Sequence, residues 1–399
     1  MKIVQISQSY PPMISGAAIM VQNLAQSLVA NGHEVLVLAA SDSGKSYTEE
    51  AGRLRVLRLA SFHNPARAKQ RFLFMPLQAM RHALSEFQPD IIHMHEPLSL
   101  GLCGLRIARE MQVTTILTLH QLPWFPATYL PPWPWLREGV TAALWRYGSW
   151  LLRQYTTVTV PAVTIAHIVH EHTGIYPTPI YNGLNPSKFN AQMVTPDEHE
   201  RLRQKYGLSA HIPIVLHVGR LDKDKRVDLV LRAFALVQDE AQLLVVGDGR
   251  CRRDLIQLSK QLGIEQRSVF PGYVCADGDL PGLYRLSTMF VTASEIELLS
   301  LVVLEAMTMG LPVVAVSATS LPEMIDHGVH GCLAPPGDYA GLAAHISWLL
   351  QHPDEAAQMG QSCREKAVMY GLEQVVHEFE QLYSKVARAS RNQARVVFG

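Results

Sequence analysis

Short apolar runs alternate with longer amphipathic stretches along the 399-residue chain. Lys2–Ile6 reads as a buried strand. Residues 16–31 then place Val21, Leu24, Leu28 and Val29 at helical spacing and stop at Gly32. Further strands are predicted over 34–39, 54–59, 90–95, 114–119 and 157–160, and a second set over 214–218, 242–246, 268–270, 289–291 and 312–315. Most are rich in Val, Ile or Leu on both faces, the pattern of parallel strands covered by helices on either side. The two sets predict two doubly wound α/β domains, residues 1–185 and 186–370, with a Pro-, Asn- and Gly-rich linker at 176–192. A helix over 371–390 is expected to pack back toward the first domain, followed by a basic tail at 391–399 with Arg391 and Arg395. Ligands of such sheets bind at the carboxyl ends of the strands, so a cleft between two facing domains is expected.

Composition narrows the classes. With 48% apolar and 18% charged residues the chain has the makings of a core and not of a disordered segment. Thirty-five basic residues balance thirty-five acidic ones, which argues against a nucleic-acid binder. The balance conceals a gradient: residues 1–180 carry net +4 and the remainder net −4, so the halves are expected to meet different partners. Cys103, Cys251, Cys275, Cys332 and Cys363 are widely spaced and form no Cys-x-x-Cys pair. A disulfide framework or zinc ribbon is therefore not expected, and isolated buried thiols in a reducing cytoplasm are. The apolar run in MKIVQISQSYPP is too short for a signal peptide, and no run reaches the ~18 residues of a membrane span.

Candidate chemistry gathers at the ends of predicted strands. Gly16 enters a helix with free N–H groups, a geometry suited to an anion or to an ordinary turn. Arg220 and Lys225 leave the first strand of the second set, where two cations suit a diphosphate; Asp222 and Asp224 between them equally suit a solvated turn. Gly247-Asp248-Gly249 resembles a phosphate loop without the Walker lysine, or is a tight turn. In TASEIELLSLVVLEAMTMGLPVVA, Ser300 is a candidate N-cap and Glu297 and Glu305 lie eight positions apart. Open N–H groups near Leu301 would hold phosphate between two carboxylates that grip hydroxyls. A helix cap and a surface acid give the same spacing. His93 and His95 share one strand face and lack a third metal ligand in sequence, so histidine packing is the expected reading.

Four segments, in order, carry a resemblance: PPMISGAAIMVQNLA with NGHEVLVL, HVGRLDKDKRVDLVLRAFA, VVGDGRCRRDL with FPGYV, and SEIELLSLVVLEAMTMGLPVVA. From residue 1 to about 385 the chain resembles the family-four retaining glycosyltransferases of the GT-B fold, with two Rossmann-like domains. The resemblance implies transfer of a hexose from a nucleotide diphosphate sugar, a uridine nucleotide favoured, to an acceptor hydroxyl. It implies no metal and no cofactor. Arg220 and Lys225 would bind the diphosphate, Glu305 the ribose and Glu297 the donor sugar. Gly16 would approach the phosphates, His120 the transferred sugar, and Tyr273 and Val274 the base. The chain departs from the family in having Ser15-Gly16 for two glycines and Leu298-Leu299-Ser300 for Gly-Phe-Gly. A catalytically silent nucleotide-sugar binder and a sugar-nucleotide epimerase are the rival readings.

Two stretches bear on the acceptor. Residues 51–85 hold Arg53, Arg55, Arg58, Arg67, Lys69, Arg71 and Arg81 without an acid, interleaved with Phe62, Phe72 and Phe74. Residues 121–153 hold Trp124, Trp133, Trp135, Trp145 and Trp150, with a helix expected over 136–152. Basic residues with aromatic anchors suit an anionic membrane surface. The pattern resembles family members that glycosylate diacylglycerol or phosphatidylinositol lipids. A soluble sugar, polysaccharide or natural-product acceptor is the alternative, with the aromatic helix part of the core or lining the acceptor site.

Overall fold

The computed structural model describes the chain except Ile14, residues 64–70, Phe74, Leu98, Pro126, 128–129, Pro132, 186–187, 190–195, Asp277 and Gly399, and the side chains of Pro196 and residues 390–398. Arg67, Lys69 and Phe74 thus lie outside the described residues, as do the side chains of Arg391 and Arg395. Two compact units divide the chain, Met1–Gly183 with Leu372–Gly399, and Leu184–Gly371. One helix, Leu372–Phe398, spans both the segment expected as helix and the segment expected as tail.

In the first unit the strands are β1 (Lys2–Ile6), β2 (Glu34–Ala40), β3 (Tyr47–Ala51), β4 (Leu54–Leu59), β5 (Phe62–His63), β6 (Arg71–Phe72), β7 (Ile91–Met94), β8 (Thr114–Thr118), β9 (Thr157–Val160) and β10 (Thr178–Pro179). They form a sheet in the order β10-β9-β8-β7-β1-β2-β4-β3, with β5 and β6 as a separate ribbon. Its pairs are parallel except β3 on β4. Two strands of the main sheet escape the apolar pattern, as do the two-residue strands of the ribbon. β3 (YTEEA) is an exposed edge with no buried face, and β10 lies inside the segment expected as linker. One sheet face is covered by the helix Gly16–Ala30, through Val21, Leu24 and Leu28, and by Val375, Val376, Phe379 and Tyr383 of the C-terminal helix.

The second unit holds β11 (Ile214–Val218), β12 (Gln242–Val246), β13 (Ser268–Gly272), β14 (Met289–Val291), β15 (Val313–Val316) and β16 (Gly331–Ala334). All pairs are parallel, in the order β13-β12-β11-β14-β15-β16. The order reverses between β11 and β14. Loops leaving two such strands diverge to opposite faces and open a crevice at their carboxyl ends. In the first unit the corresponding reversal lies between β1 and β7. All five cysteines are free; Cys103, Cys332 and Cys363 are buried, whereas Cys275 is exposed and Cys251 half-buried, contrary to the expectation of five buried thiols.

Candidate active site

The switch point of the second sheet carries the densest set of charged side chains singled out in the sequence. Past β11 the chain makes a short turn, Lys223–Lys225, and Arg226 follows in the left-handed region at φ +48°. Past β14 a loop leads to the helix Leu301–Thr308. Across the crevice Lys225 Nζ donates to Glu297 Oε1 at 2.6 Å, with side chains only 19% and 11% exposed. At that burial the pair is costly to break, because either charge left alone would be poorly solvated. Beside it, Arg226 Nη1 donates to Glu295 Oε1 at 3.0 Å.

Arg220 is held by the two acids of its own loop. Its guanidinium donates to Asp222 and, at 2.9 Å, to Asp224 Oδ2. A guanidinium has five N–H donors, so this grip fixes the fork and leaves donors for a ligand. Glu305, inside the helix, turns to another element: Tyr284 Oη donates to its Oε2 at 2.7 Å and lies 3.2 Å from the Val302 carbonyl. Burial pushes the Glu305 carboxyl up to about 7, and the tyrosine bond opposes that shift. Both protonation states are accommodated. A protonated Glu305 can donate to Oη while the phenol proton turns to Val302. The structure therefore joins Lys225 to Glu297 directly, keeps Arg220 on Asp222 and Asp224, and sets Glu305 against Tyr284.

Other expectations resolve differently. Ser300 occupies the N-cap position, but its hydroxyl makes no capping bond, which leaves the first-turn N–H groups near Leu301 without that partner. Tyr273 is exposed and Val274 half-buried, immediately after β13. The Gly247-Asp248-Gly249 turn is a packing device. A Cβ on Gly247 would lie 1.8 Å from the Gly219 carbonyl oxygen, and one on Gly249 would lie 2.5 Å from that of Leu221. The glycines let the β12 loop lie against the β11 loop.

In the first unit Gly16 is the exposed first residue of its helix, and the Ser15 hydroxyl caps the helix by accepting from Ala18 N–H at 3.1 Å. Beyond β7 and β8, His95 Nδ1 and His120 Nε2 lie 3.1 Å apart. Burial pushes His120 down to about 4 and His95 well below its ordinary value, so both rings are neutral near pH 7. His93 lies against His95 with centroids 4.1 Å apart and the rings tilted by 38°, and contacts Tyr383 Oη at 2.7 Å and Thr118 Oγ1 at 2.6 Å. His93, fully buried, is a packing and hydrogen-bonding group. Among the described residues no cluster of three His, Cys, Asp or Glu side chains is set to hold a metal ion.

The basic stretch is less free than its sequence suggests. Arg58 is buried against Glu49, Arg55 meets Glu50 and Glu86, and Arg81 meets Glu110. Arg53 donates to Gly32 O and Arg71 to Ser61. The aromatic helix, Pro134–Leu152, keeps Trp145 buried and presents Trp135 and Trp150, 71% and 55% exposed, with Trp133 just before it at 55%. Among the described residues no helix is long and apolar enough to cross a membrane.

Comparison with known proteins extends the geometry. The family model for glycosyl transferases group 1 matches residues 198–366, and that for glycosyltransferase family 4 matches residues 14–188. N-acetyl-alpha-D-glucosaminyl L-malate synthase of Bacillus anthracis is 30% identical over 313 residues, 76% of this chain and 76% of that protein. The chain is a family-four glycosyltransferase. This glycosyltransferase is also 26% identical over 358 residues to alpha-monoglucosyldiacylglycerol synthase of Streptococcus pneumoniae, covering 89% of this chain and 79% of the relative. The solved sucrose-phosphate synthase of Thermosynechococcus elongatus superposes with a TM-score of 0.83 at 23% identity, covering 98% of this chain and 100% of that one. The fold is GT-B.

Sequence reasoning overlooked several residues of the glycosyltransferase that touch the candidate site. Tyr284, Arg226 and Glu295 are polar or aromatic residues whose partners lie far along the chain, and no local spacing announces them. Thr319 and Ser320 sit in the loop after β15. Only their neighbours in space give them a role.

Proposed function

We propose that the enzyme transfers a hexose, with retention at the anomeric carbon, from a nucleotide diphosphate sugar to a lipid hydroxyl at a membrane surface. The observation that carries the donor half is the Lys225–Glu297 pair at the switch point, flanked by Arg220 and by the start of the helix Leu301–Thr308. On this reading Arg220, Lys225 and the N–H groups near Ser300 and Leu301 take up charge that develops on the departing diphosphate, work that needs no metal. Glu297 accepts from hydroxyls of the sugar and Glu305 from those of the ribose. Tyr273 and Val274 lie along the base, Gly16 by the phosphates and neutral His120 by the reacting sugar. The acceptor oxygen bonds to the anomeric carbon on the face the diphosphate leaves, and its proton passes to the leaving phosphate oxygen. Glucose and N-acetylglucosamine, the sugars in the two relatives' names, are ordinarily activated on uridine diphosphate, which puts UDP-sugars first.

The acceptor half rests on the diacylglycerol-directed name of the Streptococcus relative and on the exposed tryptophans of the helix Pro134–Leu152. Two measurements test the reading. A thermal-shift screen of UDP- and GDP-sugars should show stabilisation by at least one, lost in Lys225→Ala. Flotation with phosphatidylglycerol-containing vesicles should carry the protein upward. A protein that binds a nucleotide sugar but stays off vesicles favours the soluble acceptor.

A further inference from the structure

Glu297 lies on the loop after β14, the middle one of three adjacent strands, β11, β14 and β15. Its side chain is tied to Lys225 from the β11 side. Its backbone is tied from the other side, by two consecutive residues of the loop after β15. The Glu297 N–H donates to Thr319 Oγ1 at 3.0 Å. Its carbonyl accepts from Ser320 Oγ at 2.8 Å and from Ser320 N–H at 3.3 Å. Thr319 Oγ1 also donates to Glu295 O at 3.4 Å, so the same hydroxyl spans the turn that leads into Glu297.

Two features show that this clamp is not incidental to the local fold. Thr319 holds φ +46°, the left-handed region that a β-branched residue disfavours. Non-glycine residues held in such conformations cluster at binding sites, where surrounding contacts over-determine them. Ser320 stands at the N-cap position of the helix Leu321–Met324, yet its hydroxyl caps nothing in that helix. Fully buried, it goes to Glu297 O. Both hydroxyls thus forgo their ordinary local uses and serve the backbone of one glutamate.

We infer that Thr319 and Ser320 are positioning residues of the donor site, setting the carboxylate of Glu297 by fixing its peptide groups. The inference deepens the donor reading above and rests on it for the consequence in binding, but the positioning itself can be measured without a ligand. When the peptide groups of Glu297 are released its carboxylate drifts from Lys225, and the amine becomes easier to acylate.

The test compares wild type with Thr319→Gly, Thr319→Ser and Ser320→Ala. Glycine takes φ +46° freely and removes the hydroxyl; serine restores it. Labelling of Lys225 by an N-hydroxysuccinimide ester, read by peptide mass spectrometry, should rise about threefold or more in Thr319→Gly and return to wild type in Thr319→Ser. Calorimetric affinity for UDP-glucose should fall about three- to tenfold in Thr319→Gly, the worth of one or two neutral hydrogen bonds, while affinity for UDP alone stays within about twofold. Ser320→Ala should move in the same direction by less, because its N–H bond survives, and it carries the test should the glycine variant fail to fold. Unchanged Lys225 labelling in Thr319→Gly, or equal effects of glycine and serine, overturns the proposal. A wild type that no UDP- or GDP-sugar stabilises overturns the donor reading instead, and the labelling then decides the positioning role alone.

Discussion

Glu305 shows how burial turns a single side chain into a pH-dependent term. Its folded carboxyl titrates at about 7 against an ordinary value of 4.5, so the folded state binds the proton more tightly than the unfolded state. That stabilisation is fully present below pH 4.5 and is lost as pH rises through 7. A neutral Glu305→Gln should therefore melt with wild type near pH 5 and above it at pH 8, by on the order of 1–3 kcal/mol; melting curves across that range check it. The same titration bears on binding. An ionised Glu305 is the better acceptor for a ribose diol, so donor affinity should tighten as pH rises through 7, and calorimetry at pH 6 and 8 reads the difference. His93 supplies a second case. Tyr383→Phe leaves its Nδ1 buried without the phenol partner and should cost about 1–2 kcal/mol in denaturant midpoint at unchanged m-value.

At the scale of elements, legibility followed burial. β1, β11, β12 and β14 match the predicted runs because strands covered on both faces leave mostly apolar residues in the sequence, and β4 (LRVLRL) and β9 (TVTV) match on their interspersed Leu and Val. β3 was missed because its five residues are exposed, and β16 because GCLA is too short and too mixed to signal a strand. The helix Pro134–Leu152 carries the exposed tryptophans on which the proposed membrane contact rests. Trp135→Ala with Trp150→Ala should weaken association with anionic vesicles about tenfold or more, two aromatic side chains being removed from an interface. The melting temperature should be little changed, since both side chains are more than half exposed. Flotation and a melting curve on the same samples separate the two effects.

For the whole molecule, chain order and domain membership differ. The last helix belongs by its contacts to the first unit. There Phe379 and Tyr383 are fully buried, with Val375 and Val376 beside them. Large-to-small changes at such sites cost about 2–5 kcal/mol each, and a domain's whole stability is about 5–15 kcal/mol. A chain ending at Gly371 should therefore lose the cooperative unfolding of its N-terminal unit, seen by circular dichroism or limited proteolysis, while nucleotide binding by residues 184–371 persists.

By itself the sequence determined the alternating strands and helices, the two sheets and the identity of the charged groups at the strand ends, because those depend on local periodicity and on residue type. Only the tertiary structure decided which charges meet. Lys225 with Glu297, Glu305 with Tyr284, and Thr319 with the backbone of Glu297 are pairs 72, 21 and 22 positions apart. The first and third are set by the strand order β11-β14-β15, and the second by the packing of the helices Leu280–Leu286 and Leu301–Thr308 on either side of β14, not by spacing along the chain. A carboxylate's partner, its burial and hence its proton affinity are properties of that arrangement, which no window of neighbouring residues contains.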